Sequence, residues 1–168
     1  AQSTTGGNVI DISGAGHAVY GAVHSNDSIR VSGAGNSVSS SAEYVDRLRT
    51  SGAGNTSWES LAQQTEVADE YPISWDLDEF SDPSVEGTHA YQAASESQYH
   101  YYGSDLHISG AGEVIEPGLY FVDGNVTISG AGVRGYGVTF VATGTIDLSG
   151  AGLSFTPYIS GLSFFANS

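Results

Sequence analysis

A short alternation of apolar and polar residues recurs along the chain, each time directly before the tetrapeptide Ser-Gly-Ala-Gly. Two apolar residues flank one polar residue in five of the six copies, and Thr50 takes the second apolar place in the remaining copy. Alternation over so few residues predicts a β-strand with one face buried. The six pairs are Ile10/Ile12, Ile29/Val31, Leu48/Thr50, Leu106/Ile108, Val126/Ile128 and Ile146/Leu148.

The tetrapeptides return at an almost constant interval, since their serines are separated by 19, 19, 58, 20 and 20 residues. A period of about 20 residues with a strand before each copy predicts a solenoid, in which each repeat is one coil stacked on the next. Further apolar segments predict a second strand in the coils, with two weaker versions in the first block and three stronger ones in the second block. These segments are residues 22–23, 44–45, 119–122, 138–141 and 162–165.

The glycines of the tetrapeptide mark corners, because glycine adopts positive φ angles without steric cost. The alanine between them is expected to keep each corner small, so that neighbouring coils approach to strand spacing, about 4.8 Å. On this interpretation, a leucine at Ala131 would be overpacked.

The spacing predicts a mainly β fold, a single-domain parallel β-helix of about six coils over residues 1–168 with one helical, acidic insertion. Coils are expected over residues 8–55 and 105–168, and the insertion over 56–104.

Within the insertion, a capping box at Thr56 precedes apolar residues at helical spacing. This pattern predicts a helix over 57–70 whose Trp58 face packs on the solenoid. A weaker helix is expected after Thr88.

The formal net charge is −15, with four arginines and no lysine. Such a surface repels nucleic acid and anionic lipid, so neither is expected as a partner. It is typical of a soluble protein or of one from a high-salt habitat. Cysteine is absent, and no apolar run is long enough to predict a membrane span.

The sequence predicts no enzyme, no catalytic residues and no cofactor. A Gly-x-Gly-x-x-Gly match at 130–135 is followed by a predicted strand rather than the helix of a dinucleotide site. Solenoid enzymes that cleave polysaccharides need clustered aspartates along one groove. In chain order, the polar residue within each apolar pair mixes signs and never places acids on adjacent coils; these residues are Asp11, Arg30, Arg49, His107, Thr127 and Asp147.

The sequence contains one candidate ion site and three candidate glycosylation sites. Four acids in seven residues form a weak Ca²⁺ candidate, although a solvated acidic loop is favoured over it. They are Asp76, Asp78, Glu79 and Asp82. Three Asn-x-Ser/Thr sequons make Asn26, Asn55 and Asn125 glycosylation candidates if the protein is exported.

Longer stretches of the chain carry a family resemblance, namely residues 115–130, 137–144 and 156–166 together with 23–33. Taken in their order along the chain, these stretches resemble the β-helical extracellular domains found beside TadG-like pilus-assembly and pilin-like proteins of bacteria and archaea. The resemblance implies a right-handed β-helix on the cell surface or outside the cell, and it brings no active-site residues with it.

The predicted function is that of a structural protein of the cell surface or of an extracellular fibre, which associates head to tail with copies of itself. Other surface proteins are further candidate partners. The expected assembly interface consists of apolar residues near the two chain ends: Val9, Ile10, Leu162, Phe164 and Phe165. The alternative is an adhesin-like module that binds glycan or cation on its aromatic, acidic insertion.

Overall fold

A computed structural model describes residues 10–38, 41–44, 47–55, 60–63 and 76–167. Within these residues the chain forms eighteen strands and two short helices. In chain order they are β1 (Ile10–Ala15), β2 (Ala18–Val19), β3 (Ala22–Ser25), β4 (Ser28–Ala34), β5 (Ser37–Val38), β6 (Ser41–Tyr44), β7 (Arg47–Ser51), β8 (Ser60–Gln63), α1 (Asp78–Ser81), α2 (His89–Ser95), β9 (Tyr99–Tyr102), β10 (Leu106–Ala111), β11 (Val114–Ile115), β12 (Gly118–Val122), β13 (Val126–Ala131), β14 (Arg134–Tyr136), β15 (Val138–Ala142), β16 (Ile146–Ala151), β17 (Ser154–Thr156) and β18 (Leu162–Ala166).

The strands form three parallel sheets. Sheet 1 has the order β10-β13-β16-β1-β4-β7, sheet 2 the order β11-β14-β17-β2-β5, and sheet 3 the order β9-β12-β15-β18-β3-β6-β8. Across the sheets we number the coils by position: coil 1 is β10 to β12, coil 2 β13 to β15, coil 3 β16 to β18, coil 4 β1 to β3, coil 5 β4 to β6, and coil 6 β7 and β8. The predicted parallel β-solenoid of about six coils is confirmed.

The coils do not stack in the order in which the chain visits them. Coil 3 is the last in sequence, yet it stacks directly on coil 4, the first in sequence: Ile10 pairs with Ile146, and Val23 with Phe164. The described chain therefore starts in the middle of the stack and runs to coil 6. It then passes through the insertion to coil 1 and returns to the middle.

This order corrects the predicted assembly interface. Ile10, Leu162 and Phe164 are 0% exposed and Phe165 is 1% exposed, because β18 already pairs with β3 and β1 with β16. These four residues lie inside the molecule and cannot form an end face. Val9 lies outside the described residues.

Sheet 1 follows the predicted alternation. Ile10 and Ile12 point into the coil and are fully buried, whereas Asp11 between them points outwards. Each inward residue stacks on its equivalents in the coils above and below, so the core is a continuous aliphatic ladder. Fully burying such a side chain contributes about 1.5–3 kcal/mol to folding.

At the corners, the backbones of neighbouring coils approach each other so closely that there is no room for a side chain at the first glycine of the tetrapeptide. Gly33 has a φ of +107°, and a Cβ atom on it would lie 1.8 Å from the carbonyl oxygen of Gly14 in the next coil. No other residue fits there. The alanine that follows points outwards and is exposed in each coil, so the expectation that Ala131 is close-packed is wrong.

Sheet 3 is buried on both faces in coils 1 to 3. All five residues of β12, β15 and β18 are buried. Their inner faces join the main core, and their outer faces join a second cluster with Phe80 and Ala93 of the two helices. This explains why these strands are mostly apolar at successive positions, with only Thr139 and Ser163 polar in β15 and β18, whereas the strands of sheet 1 alternate.

Two helices, α1 and α2, lie in the described part of the insertion. The helix expected after Thr88 is confirmed as α2, and the Thr88 hydroxyl accepts a hydrogen bond from the Tyr91 N–H at 3.1 Å, an N-cap contact. The helix predicted over 57–70 is wrong at residues 60–63, which form β8 and pair with β6. The rest of that prediction lies outside the described residues. No helix among the described residues is long and apolar enough to cross a membrane.

A ladder of polar side chains follows the corner in coils 4 to 6. The N–H of His17 donates to Asn36 Oδ1 at 3.1 Å, and the N–H of Asn36 donates to Asn55 Oδ1 at 3.0 Å. His17 Nδ1 accepts from the Leu153 N–H at 3.2 Å, so its Nε2 carries the proton that bonds the Ser13 carbonyl. This ladder joins coil 3 to coil 4 through side chains that the sequence repeat alone did not single out.

Replacing Asn36 by alanine is expected to destabilise the protein by about 1–3 kcal/mol. His17 is 1% exposed, so its N–H would be left buried without an acceptor. The Asn36 amide also donates to the Ser32 carbonyl at 2.8 Å. Urea unfolding measures the loss, with Asn55→Ala at the more exposed end of the ladder as the control. Equal losses in the two variants would contradict the role of burial.

Candidate functional site: the two end faces of the solenoid

The coil 1 end leaves apolar core residues open to solvent. Leu106 and Ile108 of β10 are only half-buried, whereas their equivalents in coil 2, Val126 and Ile128, are 0% exposed. β10, β11 and β9 are also the edge strands of their sheets, so one side of each backbone is unpaired within the described chain. An open edge with adjacent apolar surface is a template for another strand.

Aromatic side chains surround this end and form a shallow bowl of about 430 Å³. The His100 ring stacks on the Tyr120 ring at 4.3 Å, and Tyr102 stacks on the same ring at 6.2 Å. Burial, with the neighbouring Tyr102 and Glu116, raises the pKa of Tyr120 to about 12. The phenol therefore keeps its proton and donates to the Glu116 carbonyl at 3.0 Å.

The rim of the coil 1 end is acidic. Asp105, Glu113 and Glu116 are exposed there. Asp105 Oδ1 accepts from the Asn125 N–H at 2.8 Å, which begins a second corner ladder through coils 1 and 2. The carboxylate of Asp105 thus has a fixed position at the end of the stack.

Among the described residues, the edge strand of sheet 1 at the coil 6 end carries the opposite charge. Arg47 and Arg49 of β7 are exposed, and Leu48 between them is half-buried, whereas its coil 5 equivalent Ile29 is 0% exposed. Both ends of sheet 1 therefore combine a partly open apolar ladder with charged neighbours, and the two ends differ in sign.

The outer face of sheet 1 corrects a second expectation. Because coil 3 stacks on coil 4, Asp147 lies directly beside Asp11, and Arg30 beside Arg49. The expectation that acids never occupy adjacent coils is therefore wrong, since it used the order of the chain. Arg30 donates to Asp11 at 3.3 Å, and one buried oxygen each of Asp11 and Asp147 has no hydrogen-bond partner among the described residues.

The pair of aspartates makes stability depend on pH. Desolvation by burial raises the pKa of Asp11 above 3.8; Arg30 opposes this and Asp147 adds to it. A raised carboxyl pKa means that the folded state binds the proton more tightly than the unfolded state. Stability from this group is therefore greatest below pH 3.8 and falls as pH rises through the folded pKa.

Asp147→Asn is accordingly expected to stabilise the protein at pH 7 and to have less effect near pH 3, where the carboxyl of Asp11 is protonated. Like charges directly opposite each other on neighbouring strands cost roughly 0.2–1 kcal/mol. Thermal melts at both pH values measure the difference, and Glu86→Gln removes one exposed charge in the insertion as the control. The same gain in both variants would mean that net charge, not the pair, is responsible.

Two of the four acids of the Ca²⁺ candidate, Asp76 and Asp82, each have one oxygen engaged in a local hydrogen bond. Asp76 Oδ1 accepts from the Asp78 N–H at 3.1 Å, and Asp82 Oδ1 accepts from the N–H and hydroxyl of Ser84 at 2.8 and 2.7 Å. In the described part of the chain, no three acidic or histidine side chains are grouped so as to hold a metal. These contacts support a hydrogen-bonded acidic turn.

The three sequons differ in accessibility. Asn26 and Asn125 are exposed, whereas the Asn55 amide donates to the Ser51 carbonyl at 2.7 Å within the corner ladder. The side-chain amides of Asn26 and Asn125 donate as well, to Asn167 and to Asp105, so a glycan would break a hydrogen bond at each of the three sites. Exposure alone favours Asn26 and Asn125.

The end-face residues Arg47, Asp105 and Glu113 were not singled out from the sequence. Each occupies an ordinary place in its repeat, and only the spatial order of the coils shows that it lies at an end. A comparison of the chain with models of known protein families, with curated proteins and with solved structures found no match.

Proposed function

We propose that this chain is a structural protein of the cell surface or of an extracellular fibre, and that copies associate head to tail through the coil 6 end of one and the coil 1 end of the next. The observation that carries the proposal is the opposite charge of two open ends that share one repeat. The acid-rich, lysine-free composition and the resemblance to pilus-associated extracellular domains support the location outside the cell.

The repeat fixes the register of such a contact. In sheet 1, Leu48 is the equivalent of Leu106, since both continue the ladder through Ile29, Ile10, Ile146 and Val126. If the next copy continues this ladder, Arg47 lies opposite Asp105. Leu48 and Leu106 then cover each other, as the apolar residues do between every other pair of coils.

The corner ladder continues in the same register. Each ladder N–H donates to the side-chain oxygen one coil further on, from His17 to Asn36 and from Asn36 to Asn55. The next residue in this position is Glu113 of the following copy, and its carboxylate would accept from the Asn55 N–H. A charged acceptor makes this the strongest bond of the series.

Sheet 3 sets a condition on the contact. It has seven strands where sheet 1 has six, because β9 precedes coil 1. A copy added in register through sheet 1 therefore places its β9 at the level of β8. β9 is anchored, since the Tyr99 hydroxyl donates to the carbonyls of Phe80 and Ser81 at 3.1 and 2.8 Å. End-to-end contact in this register therefore requires β8 to leave the edge of β6.

Sedimentation and electron microscopy of the unmodified protein at high concentration and salt test the proposal. We expect unbranched fibres with an axial repeat of about 29 Å, which corresponds to six strand spacings. A repeat of about 34 Å would mean that β8 stays in place and sheet 1 is interrupted. If globular particles are the sole species at every salt concentration, end-to-end growth is contradicted.

A second candidate function is glycan binding in the coil 1 bowl. The observation that favours glycan binding is the Tyr102 ring, which is 38% exposed and lies beside His107 and Glu113. An aromatic surface with a few polar groups at its rim suits the apolar face and hydroxyls of a sugar ring. A glycan array with Tyr102→Ala as the comparison tests it, and equal binding by both proteins would contradict it.

A further inference from the structure

Sheet 1 carries an ordered sequence of charges on its outer face. Through coils 3 to 6 the residues that share one strand position are Asp147, Asp11, Arg30 and Arg49, each paired in register with the next. The column therefore reads minus, minus, plus, plus along the stack. The order exists only in the folded protein, because the chain visits coil 3 last.

The column lies on a face that the two helices leave open. The Arg30 side chain is 46% exposed and that of Asp11 22%, and Arg49 is exposed as well. Both helices belong to the cluster on sheet 3, away from this face. Next to the charges, the tetrapeptide serines Ser13 and Ser32 alternate with the buried residues and place small side chains on the same face.

The charges at the two ends of the column are not neutralised within the described part of the chain. Arg30 donates to Asp11 at 3.3 Å, but among the described residues neither Asp147 nor Arg49 forms an ion pair. One oxygen of Asp147 is buried, but the residue as a whole is only half-buried, and Arg49 is exposed. The column therefore ends in a charge of each sign that is available to a partner, about 14 Å apart at three strand spacings.

We propose that a second copy of this chain packs face to face on sheet 1, related by a two-fold axis that passes between coils 4 and 5. The rotation reverses the column, so Asp147 of one copy lies opposite Arg49 of the other, and Asp11 opposite Arg30. A minus, minus, plus, plus series is complementary to its own reversed copy, which is the condition for an isologous contact. Each pair forms twice across the axis.

The net charge opposes this contact at long range, whereas the paired charges of the column favour it at short range. At −15 per copy the molecules repel each other, but 0.15 M salt screens charges beyond about 8 Å. Ion pairs in contact are screened much less. Since arginine occurs only four times in the chain, a face with two arginines is the place where two copies approach with the least repulsion.

This inference does not depend on the proposed end-to-end association. A two-fold contact closes after two copies, whereas the end contact is heterologous and continues to grow. The residues differ as well, because the end contact uses Arg47 and Asp105. Failure of either proposal therefore leaves the other unaffected.

Sedimentation of the unmodified protein and two charge-reversal variants at 0.15 M NaCl tests the proposal. The unmodified protein is expected to dimerise. Arg49→Asp places two carboxylates opposite each other in both outer pairs, and Asp147→Arg places two guanidinium groups there. Each variant alone is expected to bind itself at least about tenfold more weakly. An equimolar mixture of the two restores an attractive outer pair and is expected to dimerise.

Recovery in the mixture also shows that both variants are folded. Arg134→Asp makes the same charge change away from the column and is expected to keep the dimer. A monomeric unmodified protein, a dimer unaffected by Arg49→Asp, or a mixture that stays monomeric would each overturn the two-fold contact. Circular dichroism of each variant separates loss of the contact from loss of the fold.

Discussion

Arg47→Asp is expected to raise the concentration needed for fibre growth while leaving the fold intact. In the register of the repeat, Arg47 lies opposite Asp105 of the next copy, so the substitution replaces an attraction by a repulsion at every junction. A cost of about 1–2 kcal/mol per junction raises the concentration needed for assembly roughly 5- to 30-fold. Light scattering against protein concentration measures this threshold, and circular dichroism monitors the fold.

Two further variants make this result specific to the junction. Asp105→Asn keeps the side-chain oxygen that accepts from the Asn125 N–H but removes the charge, so adding it to Arg47→Asp should restore part of the assembly. Arg134→Asp makes the same change in net charge on β14, in coil 2, and should leave the threshold unchanged. If all single variants shift the threshold equally, net charge rather than Arg47 controls association.

Phe164→Asp is expected to unfold the protein rather than to block assembly. Phe164 is 0% exposed, stacks on Phe140 at 6.0 Å and pairs with Val23 across the contact of coils 3 and 4. Truncating such a ring costs about 3–5 kcal/mol, and burying an unpaired carboxylate adds to this. A loss of this size is comparable to the whole stability of a typical domain.

Urea unfolding of Phe164→Asp and of Tyr136→Asp decides the point. Tyr136 is 54% exposed on β14, so the same change there should cost less than about 1 kcal/mol. A folded, monomeric Phe164→Asp protein would instead indicate that β18 lies at an end of the solenoid, as the sequence alone suggested.

The repeat unit was predictable from sequence, but the order of the units was not. Alternation before each Ser-Gly-Ala-Gly gives the strands of sheet 1 and the inward direction of residues such as Ile12 and Ile128. Every coil offers nearly the same apolar pair to its neighbour, so the pattern does not distinguish coil 3 on coil 4 from coil 6 on coil 1. That choice depends on the path of the insertion.

For the candidate sites, too, contacts between residues near in sequence could be judged from the sequence, whereas contacts between distant residues could not. Asp82 accepts hydrogen bonds from Ser84, two positions away, so the partner of this candidate ligand lies within the same local turn. Asp11 and Asp147 were judged to be apart because they are distant in the chain, although they are neighbours in the fold. Ala131 was misassigned because the tetrapeptide does not show which of its small residues faces the next coil.

The central position of β1 and β18 has a consequence for how the chain folds. In an ordinary solenoid, neighbouring coils are also neighbours in sequence, so folding spreads outwards from any coil by local steps. Here the contact between coils 3 and 4 joins residues as far apart as Asn26 and Asn167, separated by 141 positions. Closing so long a loop has a high entropic cost, and contacts of this separation slow folding. The two halves can therefore form early, each from short-range contacts, while their union at the middle of the stack sets the rate at which the native state appears.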